Sequence, residues 1–145
     1  MKTSGSTGLH ILLPLNGEFT FEQCRILGEL IARIIVHQLP EISTITRNPA
    51  KRDGKVYIDY LQNGSGKLIA ATYCVRPKPG APVSMPVHWR EVTKSLRPDK
   101  YTINNALARL KRMKQDPAIG VLEAEVDLIA VLDALGTRFA EISDG

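Results

Sequence analysis

The stretch that organises this chain is residues 20–38, TFEQCRILGELIARIIVHQ. Apolar residues recur along it at spacings of three and four, which predicts an amphipathic helix over about 21–38. Thr20 is a favourable N-cap residue, and Gln23, three positions later, completes a capping box. Pro40 follows the end of the pattern, where a helix has to stop. The sequence thus predicts one long helix with an apolar face that packs against the rest of the domain.

The composition indicates a single globular domain over residues 1–145. The chain has 145 residues, of which 43% are hydrophobic and 23% charged, and its mean hydropathy is −0.09. These values exclude a disordered chain, and no apolar run reaches the roughly 18 residues of a membrane span. Cys24 and Cys74 match no zinc-binding spacing, and the N-terminus lacks the cleavage site of a secretory signal. We therefore expect a cytoplasmic protein with no membrane partner.

Charge is distributed unevenly along the chain. Residues 47–114 hold 15 basic and 4 acidic side chains, a net charge of +11, although the whole chain carries only +4. Residues 115–145 hold 1 basic and 7 acidic side chains. A central segment this basic favours a polyanionic partner, either nucleic acid or the phosphates of a nucleotide. The alternative is a solvated surface rich in lysine and arginine.

Short strands and three more helices are predicted around the first helix. The predicted strands are Leu9–Leu15, Ile42–Ile45, Lys55–Leu61 and Lys67–Tyr73, the last two forming a hairpin around the Asn63–Gly66 turn. Arg76–Pro86 contains four prolines and should be extended. The predicted helices are His88–Leu96, 103–114 and Asp116 to about Gly136. This order predicts an α/β (α+β) fold with a mixed sheet packed by helices, and Trp89 is expected in its core.

The first candidate site is the glycine-rich segment SGSTGLH, residues 4–10. Small residues let a backbone approach a ligand closely, and the N–H groups of such a loop can surround an anion. Ser4, Ser6 and His10 would add side-chain donors, which makes the segment a candidate phosphate site. A flexible N-terminal tail that leads into a strand is the alternative.

The second candidate is Asp59, in the apolar run VYIDYL, residues 56–61. A carboxylate within a buried strand costs free energy unless it is paired or binds a metal. Asp59 is therefore a metal ligand, the partner of an arginine, or a residue on a solvated face of the sheet. The residues alone leave all three alternatives open.

Basic side chains form the third candidate. Arg76 and Lys78 alternate with prolines on a stiff extended segment, a support that suits recognition of phosphate by arginine. Arg52 and Lys55 precede the Asp59 strand and extend the expected nucleic-acid surface. Solvated charges on an edge segment are the alternative.

These candidates lie in three segments: TSGSTGLHILLPL, KRDGKVYIDYLQN and TYCVRPKPGAPVSMPVHW. In this order they closely resemble the polymerase domain of bacterial ligase D, which belongs to the primase-polymerase superfamily and serves non-homologous end joining. The resemblance extends from about Thr3 to about Trp89, and more weakly to Asp116. It implies an RRM-like sheet packed by helices, of which this chain would form the second half.

The resemblance also implies a role for each matched position. Ser4 and His10 fall on the motif that contacts the phosphates of the incoming nucleotide, and Ser6 lies within the same motif. Arg76 falls on an arginine near those phosphates. Asp59 falls on an aspartate that binds a catalytic divalent metal, Mn²⁺ or Mg²⁺. The implied reaction is nucleotidyl transfer, in which a primer 3′-hydroxyl attacks the α-phosphate of a nucleoside triphosphate between two metal ions.

No Asp-x-Asp pair occurs in the sequence. In the family that pair supplies most of the metal ligands, and one aspartate cannot hold two metals about 3.5–4 Å apart. We therefore expect this chain to carry the triphosphate-binding side of a DNA repair polymerase site and to be inactive alone. It would be a separately encoded half, a truncated gene product or an excised piece. The implied partners are a nucleoside triphosphate, DNA (primer-template or broken ends), a second polypeptide carrying the Asp-x-Asp half, and a ligase or end-binding protein.

Two other functions compete with this hypothesis. One is a non-catalytic module that binds nucleotide or nucleic acid and has lost the chemistry. The other is a degenerate remnant whose terminal helix forms a homo-oligomer. An Asp-x-Asp motif encoded in the adjacent upstream reading frame would favour the polymerase over both.

Overall fold

The computed structural model describes residues 1–143. It contains helices and two small sheets, which confirms the predicted α+β class. The chain forms two compact units, the first from Met1–Pro14 and Ile69–Glu125 and the second from Leu15–Leu68 and the residues from Val126 onward. That the whole chain acts as one domain stays a prediction. In the part of the chain that the structure describes, no helix has the length and apolar character needed to cross a membrane.

The first unit is built on a short antiparallel pair, β1 (Lys2–Thr3) with β2 (Leu9–His10). Thr3 ties this pair to the interior, because its N–H donates to the Met85 carbonyl at 2.8 Å and its hydroxyl accepts from the Met85 N–H at 2.9 Å. The segment of residues 83–87 therefore lies against β1 and supplies the core of the unit. The residues of this segment that are at most 3% exposed are Val83, Ser84, Met85, Pro86 and Val87.

The segment that precedes this core and the helix that follows it complete the first unit. Arg76–Pro86, predicted to be extended, instead turns at residues 78–81, where the Ala81 N–H donates to the Lys78 carbonyl at 2.8 Å. The segment therefore folds back on itself, and the Arg76 N–H donates to the Pro82 carbonyl at 2.8 Å. The helix predicted over 103–114 is confirmed as α2 (Ile103–Arg112). The Thr102 N–H at its start is capped by Asn105 Oδ1 at 2.9 Å.

The second unit contains the long helix that the periodicity predicts, α1 (Phe21–Gln38). Its capping box is present: the Gln23 N–H donates to Thr20 Oγ1 at 3.2 Å, and the Thr20 N–H donates to Gln23 Oε1 at 2.8 Å. The apolar face of α1 packs against α4 (Leu128–Ser143). The buried residues of α1 are Leu27, Ala32 and Ile34.

The predicted hairpin is wrong. Strand β4 (Val56–Tyr57) pairs in parallel with β3 (Ser43–Thr44), which precedes it, and no strand forms over 67–73. Leu68, predicted to lie in the partner strand, is 91% exposed. A turn signal fixes where the chain reverses, but which strands pair is decided by the packing partner that is available.

Other predicted elements are shorter or divided. Only Leu9–His10 of the predicted Leu9–Leu15 strand is paired, and Trp89, predicted in the core, is 66% exposed and begins a single 3₁₀ turn, Trp89–Glu91. The predicted last helix is divided into α3 (Gly120–Glu123) and α4. The break comes at Asp127, whose Oδ1 accepts the Ala130 N–H at 3.0 Å and so provides a new helix start.

Candidate phosphate-binding site

The loop that joins β1 to β2 is closed by its own first residue. Ser4 is 9% exposed, and its N–H donates to the Gly8 carbonyl at 2.9 Å. Its Oγ accepts the N–H groups of Ser6 at 3.1 Å and Gly8 at 3.2 Å. Gly5 has a φ of +65°, a conformation that glycine adopts at little cost. The segment is thus an ordered turn between two strands and not a tail, and the Ser4 hydroxyl occupies two of the N–H groups expected to surround an anion.

Two predicted cations lie beside this loop. Arg76 donates from Nη1 to the Ser4 carbonyl at 3.2 Å, and Lys78 donates from Nζ to Ser6 Oγ at 2.9 Å. The Arg76 side chain also crosses close to Gly5, because a Cβ placed on Gly5 would lie 2.6 Å from Arg76 Cγ. The prolines on either side of Lys78 restrict the backbone of the supporting segment, and the Lys78 N–H donates to the Arg76 carbonyl at 2.8 Å, so both cations are held at the loop.

A third cation, Lys2, was missed by the sequence analysis. Its side chain is 3% exposed, and Nζ lies 2.7 Å from His10 Nδ1, 2.6 Å from the Ala70 carbonyl and 2.8 Å from Ser84 Oγ. Burial lowers the pKa of Lys2 below its ordinary value of 10.5, and the positive charge of Arg76 lowers it further. No sequence signal marks Lys2, because the strand pair that places it directly opposite His10 is visible only in the structure.

The first unit therefore brings together the phosphate-site residues that the sequence predicts, with one addition. These residues are Ser4, Ser6, His10, Arg76 and Lys78, joined by Lys2. Among the side chains that the structure describes, no carboxylate lies within ion-pairing distance of Lys2, Arg76 or Lys78. Clustered cations without a compensating acid attract an anion, and hydroxyl and N–H donors on a glycine-rich loop suit phosphate.

Asp59 lies in the second unit, and its surroundings differ from the prediction. The strand ends at Tyr57, so Asp59 is exposed in the turn that follows, where its Oδ1 accepts the Leu61 N–H at 3.0 Å. No arginine pairs with it among the side chains described. Burial raises the pKa of Tyr57, and the Asp59 charge raises it further. Among the side chains described, the structure thus shows no arginine partner for Asp59, and a metal ligand or a solvated position remains.

Arg52 and Lys55 are held by backbone carbonyls of the same unit. Arg52 donates to the Thr46 carbonyl at 2.9 Å and lies over the Tyr57 ring at 4.0 Å. Lys55 donates to the Pro40 carbonyl at 2.7 Å. Among the side chains described, neither cation has a neutralising acid, so both charges are retained.

The residues described do not by themselves form a divalent-metal site. Within residues 1–143, no group of three His, Cys, Asp or Glu side chains is placed to hold a metal ion. Mg²⁺ demands near-octahedral oxygen coordination, and one exposed carboxylate supplies a single ligand. Asp59 fits one position of such a site, and the remaining ligands have to come from elsewhere.

A further ion pair fastens the basic helix α2 to the core of the first unit. Arg109 Nη2 donates to Glu91 at 2.8 Å and to the Pro86 carbonyl at 3.2 Å. Burial acts to raise the pKa of Glu91, but hydrogen bonds from the His88 N–H and from Arg109 outweigh it and hold that pKa below its ordinary value. The pair thereby fixes where the other cations of α2 lie.

The glycine-rich loop and the cations beside it form a candidate phosphate site, and comparison with known proteins specifies the family of the chain. Residues 1–118 match the family described as LigD, primase-polymerase domain. The bifunctional non-homologous end joining protein LigD of Bacillus subtilis is 38% identical over 112 residues, which are 77% of this chain and 18% of that protein. The multifunctional non-homologous end joining protein LigD of Pseudomonas aeruginosa is 30% identical over 116 residues, 80% of this chain and 14% of that protein.

A solved structure agrees with these relatives. The polymerase domain from Mycobacterium tuberculosis ligase D, in complex with DNA, matches with a TM-score of 0.75 and 28% identity over 86% of this chain and 43% of that one. The chain belongs to the LigD primase-polymerase domain family, which confirms the resemblance found in the sequence. It spans less than half of that solved domain and at most 18% of the two relatives named above.

Proposed function

We propose that this chain provides the triphosphate-binding side of a DNA repair polymerase site of the ligase D type. The observation that carries the proposal is the cluster of Lys2, Arg76 and Lys78 beside the loop of residues 4–8, with no acid paired to any of them among the described side chains. Three cations without a compensating charge suit the several negative charges of a triphosphate.

The side chains differ in what they offer a phosphate. Arg76 presents a guanidinium whose Nη1 bonds a neutral carbonyl, so its charge is retained for an anion. Lys78 and the Ser6 hydroxyl already contact each other, and a phosphate oxygen at that position would bond both. His10 adds an imidazole opposite Lys2 in the strand pair. The arrangement binds and orients the nucleotide.

Asp59 has a limited part in this proposal. It would supply one carboxylate to a Mn²⁺ or Mg²⁺ site whose other ligands come from an Asp-x-Asp strand, carried by a second polypeptide or by another part of a longer chain. A divalent metal in such a site stabilises the developing charge on the attacking and leaving oxygens. The exposed position of Asp59 is consistent with a ligand that other groups complete.

DNA is the second partner that we propose. Residues 47–114 carry a net charge of +11, and on α2 the side chains of Lys111 and Arg112 are exposed while Arg109 is held by Glu91. Because DNA binding releases counterions, affinity should fall with salt with a slope of about −0.9 per phosphate neutralised. A salt dependence that stays flat would identify a merely solvated surface.

Calorimetry with a nucleoside triphosphate tests the central claim. Arg76→Ala removes a cation from the loop and should weaken binding about tenfold or more, and His10→Ala should weaken it as well. The matched controls are Arg90→Ala and His37→Ala, which remove an exposed arginine and an exposed histidine that have no role in the proposed phosphate site. Equal affinity in the wild type and all four variants would contradict the assignment.

Primer extension separates the polymerase from a non-catalytic binding module. We expect no extension by this chain alone with Mn²⁺ or Mg²⁺. Addition of a polypeptide that bears the Asp-x-Asp strand should restore activity, and Asp59→Ala should abolish it again. Nucleotide binding without extension under both conditions would favour the binding module.

A further inference from the structure

We propose that Lys2 is a positioning residue, which holds His10 as the neutral tautomer that carries its proton on Nε2. The inference deepens the proposed function and rests on it for its consequence, because His10 belongs to the proposed phosphate site. The contact itself, Lys2 Nζ to His10 Nδ1 at 2.7 Å, is a property of the chain without nucleotide.

The direction of this hydrogen bond follows from the partners of Lys2. An ammonium has three N–H donors and no acceptor. Three groups surround Nζ: His10 Nδ1, the Ala70 carbonyl at 2.6 Å and Ser84 Oγ at 2.8 Å. The carbonyl can only accept, and the Ser84 hydroxyl proton is donated to the Thr3 carbonyl at 2.8 Å. Each of the three N–H groups therefore has one acceptor, and Nδ1 is one of them.

An imidazole that accepts at Nδ1 cannot carry a proton there. If it is neutral, its proton is on Nε2, and the second nitrogen is then a hydrogen-bond donor. A second proton on Nδ1 would point at a buried ammonium, which is 3% exposed and has no carboxylate partner among the described side chains. The Lys2 ammonium thus disfavours both forms of His10 that carry a proton on Nδ1, which are the neutral Nδ1–H tautomer and the imidazolium.

The charge of the buried Lys2 calls for a role other than holding β1 in place. A buried ammonium without an acid costs free energy, whereas an apolar side chain of similar length would fill the same space at no such cost. Thr3 and the segment around Ser84 already hold β1 in place through their own backbone and hydroxyl bonds. The charge at Lys2 is therefore not required to hold the strand.

Nitrogen-15 spectra of the histidine rings test the inference on the full chain. His10 is assigned by the signal that disappears in His10→Gln. In the wild type at neutral pH without nucleotide, we expect His10 to show a protonated Nε2 and an unprotonated Nδ1. A protonated Nδ1 in the wild type would overturn the inference, and the His10→Gln chain serves only to assign the signal.

Lys2→Met tests the consequence, with circular dichroism as the check on folding. We expect its His10 to become a mixture of tautomers and its affinity for nucleoside triphosphate to fall about tenfold. The matched control Lys78→Met removes a cation from the same cluster without touching His10, so it should lower affinity and leave the tautomer unchanged. A Lys2→Met chain with wild-type tautomer or wild-type affinity contradicts the inference.

The outcomes separate this inference from the proposed function. If the wild type shows the expected tautomer but binds no nucleotide, the proposed function fails and Lys2 still sets the His10 tautomer. If nucleotide binds and Arg76→Ala weakens it while Lys2→Met does not, the proposed function stands and the positioning role fails.

Discussion

Substitution of Gly5 by alanine should both destabilise the first unit and weaken nucleotide binding. Two features of Gly5 combine. Its φ of +65° is a conformation that residues with a Cβ rarely adopt. A Cβ there would also lie 2.6 Å from Arg76 Cγ and 3.1 Å from the Ser84 nitrogen. The first feature strains the loop, and the second displaces the arginine that we assign to the phosphates.

The expected loss of stability is the sum of the cost of the left-handed conformation and the cost of the close contact. A left-handed conformation costs an L residue roughly 1–2 kcal/mol. Carbon atoms normally approach to about 3.5–4.0 Å, so the contact with Arg76 is about 1 Å too short, and relief of such overpacking costs about 1–3 kcal/mol. We therefore expect Gly5→Ala to lower the free energy of unfolding by about 2–5 kcal/mol.

Two glycines of the same unit serve as controls. Gly80 has a φ of +81° but nothing within 4 Å of its Cβ position, so Gly80→Ala carries the conformational cost alone. Gly8 also has open space and has no positive φ, so Gly8→Ala should change stability by no more than about 0.5–1 kcal/mol.

Urea denaturation followed by circular dichroism gives the free energies of unfolding, and calorimetry gives nucleotide affinity. The Gly5 variant should lose at least about 1 kcal/mol more than the Gly80 variant, and it alone should bind nucleotide more weakly. Equal stability and equal affinity in the Gly5 and Gly80 variants would refute the close approach of Arg76 to the loop.

Three further predictions concern other parts of the chain. Folding lowers the pKa of Glu91, so the ionised side chain contributes its full stabilisation above pH 4.5, and this stabilisation is lost as the pH falls through the lower pKa of the folded state. In urea denaturation between about pH 6 and pH 3, the Glu91→Gln chain should therefore lose less stability on acidification than the wild type. A Cβ on Gly28 would lie 2.9 Å from Asn63 Nδ2, the end of a side chain that has to shift, so Gly28→Ala should stabilise the second unit less than Gly136→Ala does. Gly136 is in open space, and Gly136→Ala should raise stability by up to about 1 kcal/mol in thermal unfolding. Asp59→Asn should change the unfolding free energy by less than about 0.5 kcal/mol, because the side chain is exposed and an amide oxygen can accept the same turn bond; a larger loss would give Asp59 a structural role.

Local signals predicted the helices better than the strands. Helix α1 begins and ends where periodicity and the Thr20 capping box place it, because hydrogen bonds and caps of a helix join residues at most four positions apart. The Asp127 side chain shows how one such local bond can also divide a predicted helix. Strand pairing joins residues far apart in sequence, so a turn signal at Asn63–Gly66 could not exclude the parallel partner β3.

The family and the absence of an Asp-x-Asp pair follow from the order of residues alone, and so does the prediction of which residues form the phosphate motif. Folding is needed to bury Lys2 against His10 and Ser84 and to bring Arg76 across Gly5. Lys2 and Ser84, for example, are 82 positions apart in the chain. Burial and ion pairing depend on such distant neighbours, which is why the exposure of Asp59 and Trp89 could not be obtained from the residues adjacent to them in the chain.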